Sequence, residues 1–188
     1  ALLPLGFGVA APASAAGGSV TLHVKGLRIT GESGDLSGAT AILRNLDSNS
    51  SIVLTTYGAA FHASDSVPYG RYRLEVTRPG FITQFWPRAY APESATTLWF
   101  GDGPNCEPTL PALCPSHLLD IQLSEGIPLN GRTRLRDGRG LGNVLVTATR
   151  VDEPAYRPST LSAADGSYAI ALPPGAYTLS AAGRAIQV

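Results

Sequence analysis

The chain contains one sequence pattern twice, about a hundred residues apart. Residues 67–76, VPYGRYRLEV, return as residues 172–181, LPPGAYTLSA. In both copies a proline leads into a glycine turn, and a strand with apolar residues at alternate positions follows. A pattern that recurs in this way is typical of one supersecondary unit used more than once. The repeat therefore predicts two structurally similar units.

The match extends upstream of the two prolines. Glycine turns keep the same order in both copies, and apolar strands lie between them. The corresponding glycines are Gly38 and Gly142, Gly58 and Gly166, and Gly70 and Gly175. Small differences in spacing are expected where hairpin loops vary in length while the strands keep their register.

Composition favours an all-β fold for both units. Glycine (21 residues) and proline (15) interrupt the sequence often, and the apolar runs between them are short and lack a long helical periodicity. We predict two tandem β-sandwich domains, 19–124 and 127–188, of which the second is short or truncated. Fourteen basic residues balance fourteen acidic ones, so the chain has no net field that would recruit nucleic acid or an anionic membrane.

Residues 1–16 differ from the rest of the chain. They form an uncharged, apolar, Ala-rich stretch that includes Ala13-Ser14-Ala15, a triplet that fits the small-residue rule for signal-peptidase cleavage. We interpret them as a partial signal peptide of a secreted or cell-surface protein. The alternatives are a disordered leader or a buried first strand. The stretch is too short and too interrupted for a membrane span.

The two cysteines agree with export. Cys106 and Cys114 enclose a proline-rich loop, and one pair in an exported protein predicts a disulfide. Closing so short a loop contributes about 2.5 kcal/mol in the chain-entropy model. The alternative is a metal site, but with only His117 nearby the pair offers too few ligands for structural zinc.

Alternation and turn residues together predict the strands. In the first unit we expect a turn over 30–35 and strands over 19–25, 39–44, 52–56, 71–77 and 116–123. In the second unit we expect strands over 129–135, 144–150, 158–163, 167–172 and 177–181.

A search for catalytic patterns finds none. The sequence has no Gly-x-Ser-x-Gly elbow, and the acidic residues are scattered singly. His23, His62 and His117 lie in different predicted strands, where we expect ordinary surface or edge residues. We interpret Asp165 as a turn residue. We therefore predict no catalytic residues, no cofactor and no metal.

One segment is a candidate binding surface. Residues 81–100 hold six of the chain's aromatic residues, including both tryptophans. Exposed rings can stack on sugars, so Trp86, Tyr90 and Trp99 are candidates for a glycan platform. The alternative is that these rings fill the core and the contact between the two units.

The second unit carries a family resemblance. Residues 129–133 (LNGRT), 137–138 (DG), 141–146 (LGNVLV), 164–168 (ADGSY) and 172–179 (LPPGAYTL) resemble carboxypeptidase regulatory-like domains. These are similar to the wider prealbumin-like group, which includes transthyretin-like, starch-binding-like and Cna-B-type modules. The first unit resembles the same pattern more loosely. The resemblance implies Greek-key, Ig-like sandwiches without catalytic residues.

Cna-B-type modules can carry a lysine–asparagine crosslink assisted by a buried carboxylate. Lys25 lies where that lysine would be, but Val76 occupies the expected place of the carboxylate, and Glu75 falls on the opposite face of its strand. We therefore do not expect the crosslink.

The sequence leaves three functions open. The first is a non-catalytic extracellular module for structural spacing, surface display or adhesion. The second is a carbohydrate-binding accessory module of a secreted glycan-active protein. The third is a fragment of a larger hydrolase whose catalytic domain lies beyond Val188. The candidate partners are polysaccharide and other extracellular protein domains, and we expect a monomer.

Overall fold

The computed structural model of the protein describes residues 17–101 and 116–183. Apart from a 3-10 helix at Pro92–Ser94, the regular structure of the described residues consists of β-strands, which confirms the all-β prediction. The strands of the first unit, residues 17–124, are β1 Gly17–Leu27, β2 Ser33–Asp35, β3 Thr40–Asn45, β4 Ser51–Val53, β5 Thr55–Tyr57, β6 Phe61–Pro68, β7 Gly70–Thr77, β8 Gln84–Phe85, β9 Leu98–Phe100 and β10 Ser116–Ser124. Those of the second unit, residues 127–183, are β11 Ile127–Arg132, β12 Val144–Arg150, β13 Ser159–Leu161, β14 Ser167–Leu172 and β15 Tyr177–Gly183.

The first unit consists of two sheets around one core. One sheet has the order β10-β1-β6-β5, with β2 beside β1, and the other has the order β4-β3-β7, with β8 and β9 on β7. Alternate residues of β1, Val20, Leu22 and Val24, are at most 1% exposed and point into the core. Their neighbours in sequence face outward, as the period of a half-buried strand requires.

The last strand of the first unit closes its core. β10 runs parallel to β1, from Ser19 opposite Ser116 to Leu27 opposite Ser124. Its inward side chains are Leu119, Ile121 and Leu123, which are at most 5% exposed. The strand predicted over 116–123 is thereby confirmed.

Two predictions for the first unit are wrong. Residues 52–56 are not one strand, because β4 pairs with β3 in one sheet and β5 pairs with β6 in the other. Leu54 lies between them, is 3% exposed, and donates its N–H to the Ala41 carbonyl at 2.9 Å. The chain therefore changes sheets at a buried residue. The predicted turn over 30–35 also contains β2, which pairs with the end of β1.

The second unit repeats the central part of the first. β11 pairs with β14, and β12 lies between β13 and β15. The core of this unit comprises Val144, Val146, Ala148, Ile170 and Leu172. β12 and β14 have the predicted bounds, whereas β11 begins and ends earlier than the predicted 129–135 and β13 is shorter than the predicted 158–163.

The strand pairing relates the two units residue by residue. In the first unit Tyr72 of β7 lies opposite Asn45 of β3, and in the second Tyr177 of β15 lies opposite Arg150 of β12. Both ladders are antiparallel, so β15 is the counterpart of β7 and Leu179 is the counterpart of Leu74. The predicted repeat is thus a repeat of structure.

Candidate functional site

The two tryptophans of the aromatic segment lie on different sides of their sheet. Trp86 is half-buried, packs against the core of the first unit, and donates its backbone N–H to the Leu74 carbonyl at 3.1 Å. Trp99 lies between Leu98 and Phe100, which are 2% and 1% exposed and point inward. Alternation therefore turns Trp99 outward, where the Arg71 guanidinium lies 5.7 Å from its ring centroid. The two indoles do not share a face.

Tyr90, the third candidate, faces the second unit. Its ring centroid lies 5.5 Å from that of Tyr156, and the Arg150 guanidinium carbon lies 4.7 Å from the Tyr90 ring. Its phenolic oxygen is 3.3 Å from the Ser124 hydroxyl. Of the two interpretations of this segment, the geometry gives Tyr90 the role of a contact between the units.

A single carboxylate oxygen links the two units. Oε1 of Glu153 accepts the backbone N–H of Tyr90 at 2.8 Å and that of Ala91 at 2.7 Å. Ala91 is 3% exposed, so water has little access to its N–H. Hydrogen bonds to an ionised acceptor are shorter and stronger than neutral ones. We call Tyr90, Ala91, Arg150, Glu153 and Tyr156 the inter-unit contact.

Arg150 is held in this contact by an ion pair with Asp152. Its Nε and Nη2 donate to the two carboxylate oxygens of Asp152 at 2.6 and 3.0 Å, and its side chain is only 12% exposed. These hydrogen bonds raise the pKa of Arg150, and burial raises the pKa of Tyr156 to about 12. At neutral pH the contact therefore holds the Arg150 cation and the neutral phenol of Tyr156.

Sequence reasoning did not find the second unit's half of this contact. The stretch 150–157, RVDEPAYR, contains Arg150, Glu153 and Tyr156, and its composition is typical of an ordinary polar loop. Since the hydrogen-bonded partners are backbone N–H groups more than 60 positions away, no local pattern marks these residues.

The histidines occupy three separate environments. His23 is bracketed by Asp35 (Nε2 to Oδ1, 2.8 Å) and Asp120 (Nδ1 to Oδ1, 3.2 Å), on the outer face of β1. His117 contacts the Trp99 carbonyl through Nε2 at 3.0 Å. Neither pairs with a nucleophile, and the described residues contain no group of three metal-ligating side chains.

His62 corrects the expectation of surface histidines. It is 1% exposed and lies opposite Leu22 on the core side of β6. Its Nδ1 lies 3.2 Å from the Thr56 hydroxyl, while its Nε2 has no hydrogen-bond partner among the described residues. Burial lowers the pKa of His62.

Lys25 also lies on the outer face of β1. It is 44% exposed, and its Nζ lies 3.6 Å from Oδ1 of Asp120. Asp165 accepts hydrogen bonds from the backbone N–H and the hydroxyl of Ser167, which holds the turn that was predicted for it.

Several predictions fall on other parts of the chain. The leader 1–16 and the pair Cys106 and Cys114 lie outside the described residues, so the signal peptide and the disulfide stay predictions. Within the described ranges, no helix is long and apolar enough to cross a membrane.

No protein-family model matches the chain, and no curated protein matches it. Its sheets are similar to several solved structures of bacterial proteins. One is the Bacillus anthracis TIE protein, at 17% identity and a TM-score of 0.35, covering 88% of this chain and 28% of that one. Another is the major pilin SpaD of Corynebacterium diphtheriae, at 14% identity and a TM-score of 0.38, covering 70% of this chain and 40% of that one.

A third similar structure is a DUF3823 family protein from Bacteroides ovatus, at 14% identity and a TM-score of 0.32, covering 83% of this chain and 81% of that one. The chain spans less than half the length of the first two proteins. At these identities and TM-scores the likeness carries no argument about function.

Proposed function

We propose that the chain is a non-catalytic, exported module of two tandem β-sandwich domains that acts as a structural spacer for surface display or adhesion. We further propose that both units are of the carboxypeptidase regulatory-like type. The observation that carries the proposal is the inter-unit contact, in which one oxygen of Glu153 accepts two backbone N–H groups of the first unit.

The connection between the units supports a rigid spacer. β10 ends at Ser124 and β11 begins at Ile127, so only two residues link them. One of the two, Glu125, is itself tied to the first unit, because its N–H donates to the Leu27 carbonyl at 2.8 Å. A short linker combined with a second point of contact restricts both bending and rotation. A spacer that holds its two ends at a fixed distance, or that transmits force between them, needs this restriction of bending and rotation.

The strength of the contact follows from its chemistry. A hydrogen bond to a charged acceptor contributes about 1.5–3 kcal/mol, and Glu153 accepts two from donors that belong to the backbone and lose no rotamer freedom. The rings of Tyr90 and Tyr156 and the guanidinium of Arg150 add apolar and cation–π contacts. Together these interactions favour one relative orientation.

Backbone ¹⁵N relaxation tests the proposal. We expect the two units of the native chain to tumble with one common correlation time. Glu153→Ala removes the acceptor and leaves the N–H groups of Tyr90 and Ala91 unpaired, so the two units acquire different correlation times. Glu153→Gln keeps an acceptor oxygen and is the matched control. Independent tumbling of the units in the native chain would overturn the spacer proposal.

A glycan-binding module is the second proposal. The observation in its favour is a cleft of 490 Å³ beside Tyr90, whose lining includes Arg88, Thr96, Arg150 and Asp152. Polar groups around an aromatic ring suit the hydroxyls and the apolar face of a sugar. Calorimetric titration with soluble glucans, repeated with Arg88→Ala, tests this role, and the absence of heat with every glucan would end it.

A further inference from the structure

The first and last strands of the first unit lie side by side and run in the same direction. β1 and β10 pair in parallel over nine residue pairs, from Ser19 opposite Ser116 to Leu27 opposite Ser124. The chain enters β1 at one end of this pair and leaves β10 toward the second unit at the other end. At about 3.3 Å per residue, these two points lie about 26 Å apart along the strands.

This arrangement determines how tension acts on the unit. A pull on the chain ahead of β1 and an opposite pull from the second unit draw the two strands past each other along their axes. All the ladder hydrogen bonds then share the force and must break together. In an antiparallel pair both pulls would act at the same end, and the bonds would break one after another.

The attachment of β10 limits the resistance of the unit. β10 lies at the end of the sheet order β10-β1-β6-β5, so β1 is its neighbour on one edge and no described strand pairs with the other. Extraction of β1 instead requires that its pairing with β6 breaks as well. Extraction of β10 also exposes Leu119, Ile121 and Leu123, which are at most 5% exposed in the folded unit, and the loss of their burial adds to the resistance.

The end of β10 where the second unit pulls is held by further hydrogen bonds. Glu125 donates its N–H to the Leu27 carbonyl at 2.8 Å, and its Oε2 accepts the N–H of Ile29 at 3.0 Å. Ile82 donates its N–H to the Ser124 carbonyl at 2.9 Å. These bonds oppose lifting of the strand end, so the pull acts along β10.

We propose that the parallel pair of β1 and β10 is a force-bearing clamp, which keeps the first unit folded while the chain is stretched between the start of β1 and the second unit. We call this pair the β1–β10 clamp. The proposal rests on the proposed function, because tension reaches the clamp only in a spacer that joins two attached bodies. It adds that this spacer resists force along its length, and it assigns the resistance to one pair of strands.

Side-chain contacts across the clamp are minor beside its ladder. On the outer face, Oδ1 of Asp120 lies 3.2 Å from Nδ1 of His23 and 3.6 Å from Nζ of Lys25. The side chain of Asp120 is 68% exposed, and ion pairs at such positions contribute little to stability. The resistance therefore belongs to the backbone ladder and to the buried side chains.

Single-molecule force spectroscopy of the full chain in two pulling directions tests the clamp. DNA handles are attached to introduced cysteines after Cys106→Ser and Cys114→Ser have removed the native thiols. Gly17→Cys with Ile127→Cys loads the clamp along its strands, whereas Gly17→Cys with Ser116→Cys pulls the two strands apart from one end. We expect the unfolding force in the first direction to exceed that in the second several-fold, because single bonds rather than the whole ladder bear the second load.

The three handle positions are exposed, so these substitutions leave the core intact. Asp120→Ala, pulled in the first direction, is the matched control for the side-chain contacts. It removes the contacts on the outer face while the ladder stays in place, so the unfolding force should remain nearly unchanged.

The clamp is overturned if the two directions give equal unfolding forces. It is also overturned if Asp120→Ala lowers the first force to the level of the second, because the load would then rest on side chains. Equal forces in a chain whose units tumble together would reject the clamp and leave the spacer function standing. A direction-dependent force in a chain whose units tumble separately would reject the rigid spacer and support the clamp as a property of the first unit.

Discussion

Tyr72 and Tyr177 make the same hydrogen bond in the two units. Each phenolic OH donates to the carbonyl of the proline four positions earlier, Pro68 and Pro173, at 2.9 Å. The bond ties the tyrosine strand to the strand that precedes the glycine turn. The repeated spacing of proline, glycine and tyrosine in the sequence therefore corresponds to one turn geometry that occurs in both units.

Removing this hydroxyl should destabilise the first unit more than the second. Tyr72 is 1% exposed whereas Tyr177 is half-buried, so water replaces the lost partner less readily in the first unit. We expect Tyr72→Phe to lower the free energy of unfolding by about 1–2 kcal/mol and Tyr177→Phe by less. Urea denaturation measures both. Tyr57→Phe, at a 47% exposed position, is the control and should change little; an equal loss in all three variants would contradict the assignment.

Alternation was enough to predict most of the strands. β12 and β14 have the predicted bounds because each is a short run rich in apolar residues, VLVTATR and SYAIAL, that glycine, asparagine, aspartate or proline residues enclose at both ends. The apolar run around Leu54 has the same local signal, yet it splits into two strands. The change of sheet depends on where β3 and β6 lie, and that information is not local.

The alternation of apolar residues does not predict contacts between residues that are far apart in the sequence. His62 is a polar residue at a core position, and its polarity favoured the wrong prediction of a surface or edge residue, because only the pairing of β6 with β1 places it opposite Leu22. Glu153 contacts backbone groups, which carry no side-chain signal. The candidate tryptophans were identified by composition, and only the pairing of β9 with β7 shows that Trp99 turns away from Trp86.

Two turn glycines offer a matched pair of substitutions. Gly166 and Gly138 both have positive φ, +83° and +87°, so alanine at either position carries the cost of the left-handed region, about 1–2 kcal/mol. At Gly166 an added Cβ would also lie 2.2 Å from the Thr133 carbonyl oxygen, whereas nothing lies within 4 Å at Gly138. We therefore expect Gly166→Ala to destabilise the second unit by clearly more than Gly138→Ala in thermal unfolding. Equal losses of stability in the two variants would contradict this expectation and would show that the backbone around Gly166 shifts to accommodate the added Cβ at little cost.

The predicted disulfide can be tested by counting thiols. If Cys106 and Cys114 are bonded, the unfolded chain without reductant should show no free thiol, and two after reduction. Cys106→Ser with Cys114→Ser should lower the free energy of unfolding by about 2.5 kcal/mol, the entropy of closing a short loop. Two free thiols in protein prepared under oxidising conditions would refute the pairing.

His62 should make the stability of the first unit fall in mild acid. Burial lowers its pKa in the folded state, while the unfolded chain keeps the ordinary value of 6.5. Above pH 6.5 the ring is neutral in both states and contributes no pH dependence. As the pH falls below 6.5, the unfolded chain binds the proton before the folded chain does. The free energy of unfolding therefore decreases until the pH reaches the lower pKa of the folded state. The slope is at most about 1.4 kcal/mol per pH unit, the value for one proton.

His62→Leu tests this directly, because leucine fits a core position and has no nitrogen to leave unpaired. We expect the variant to be at least as stable as the native chain at pH 7, since the buried Nε2 without a partner is lost. Between pH 6.5 and 5 its free energy of unfolding, measured by urea denaturation, should decline less steeply. His23→Gln, at the outer face of β1, serves as the comparison and keeps the His62 contribution. An unchanged slope in His62→Leu would mean that other groups set the acid sensitivity of the fold.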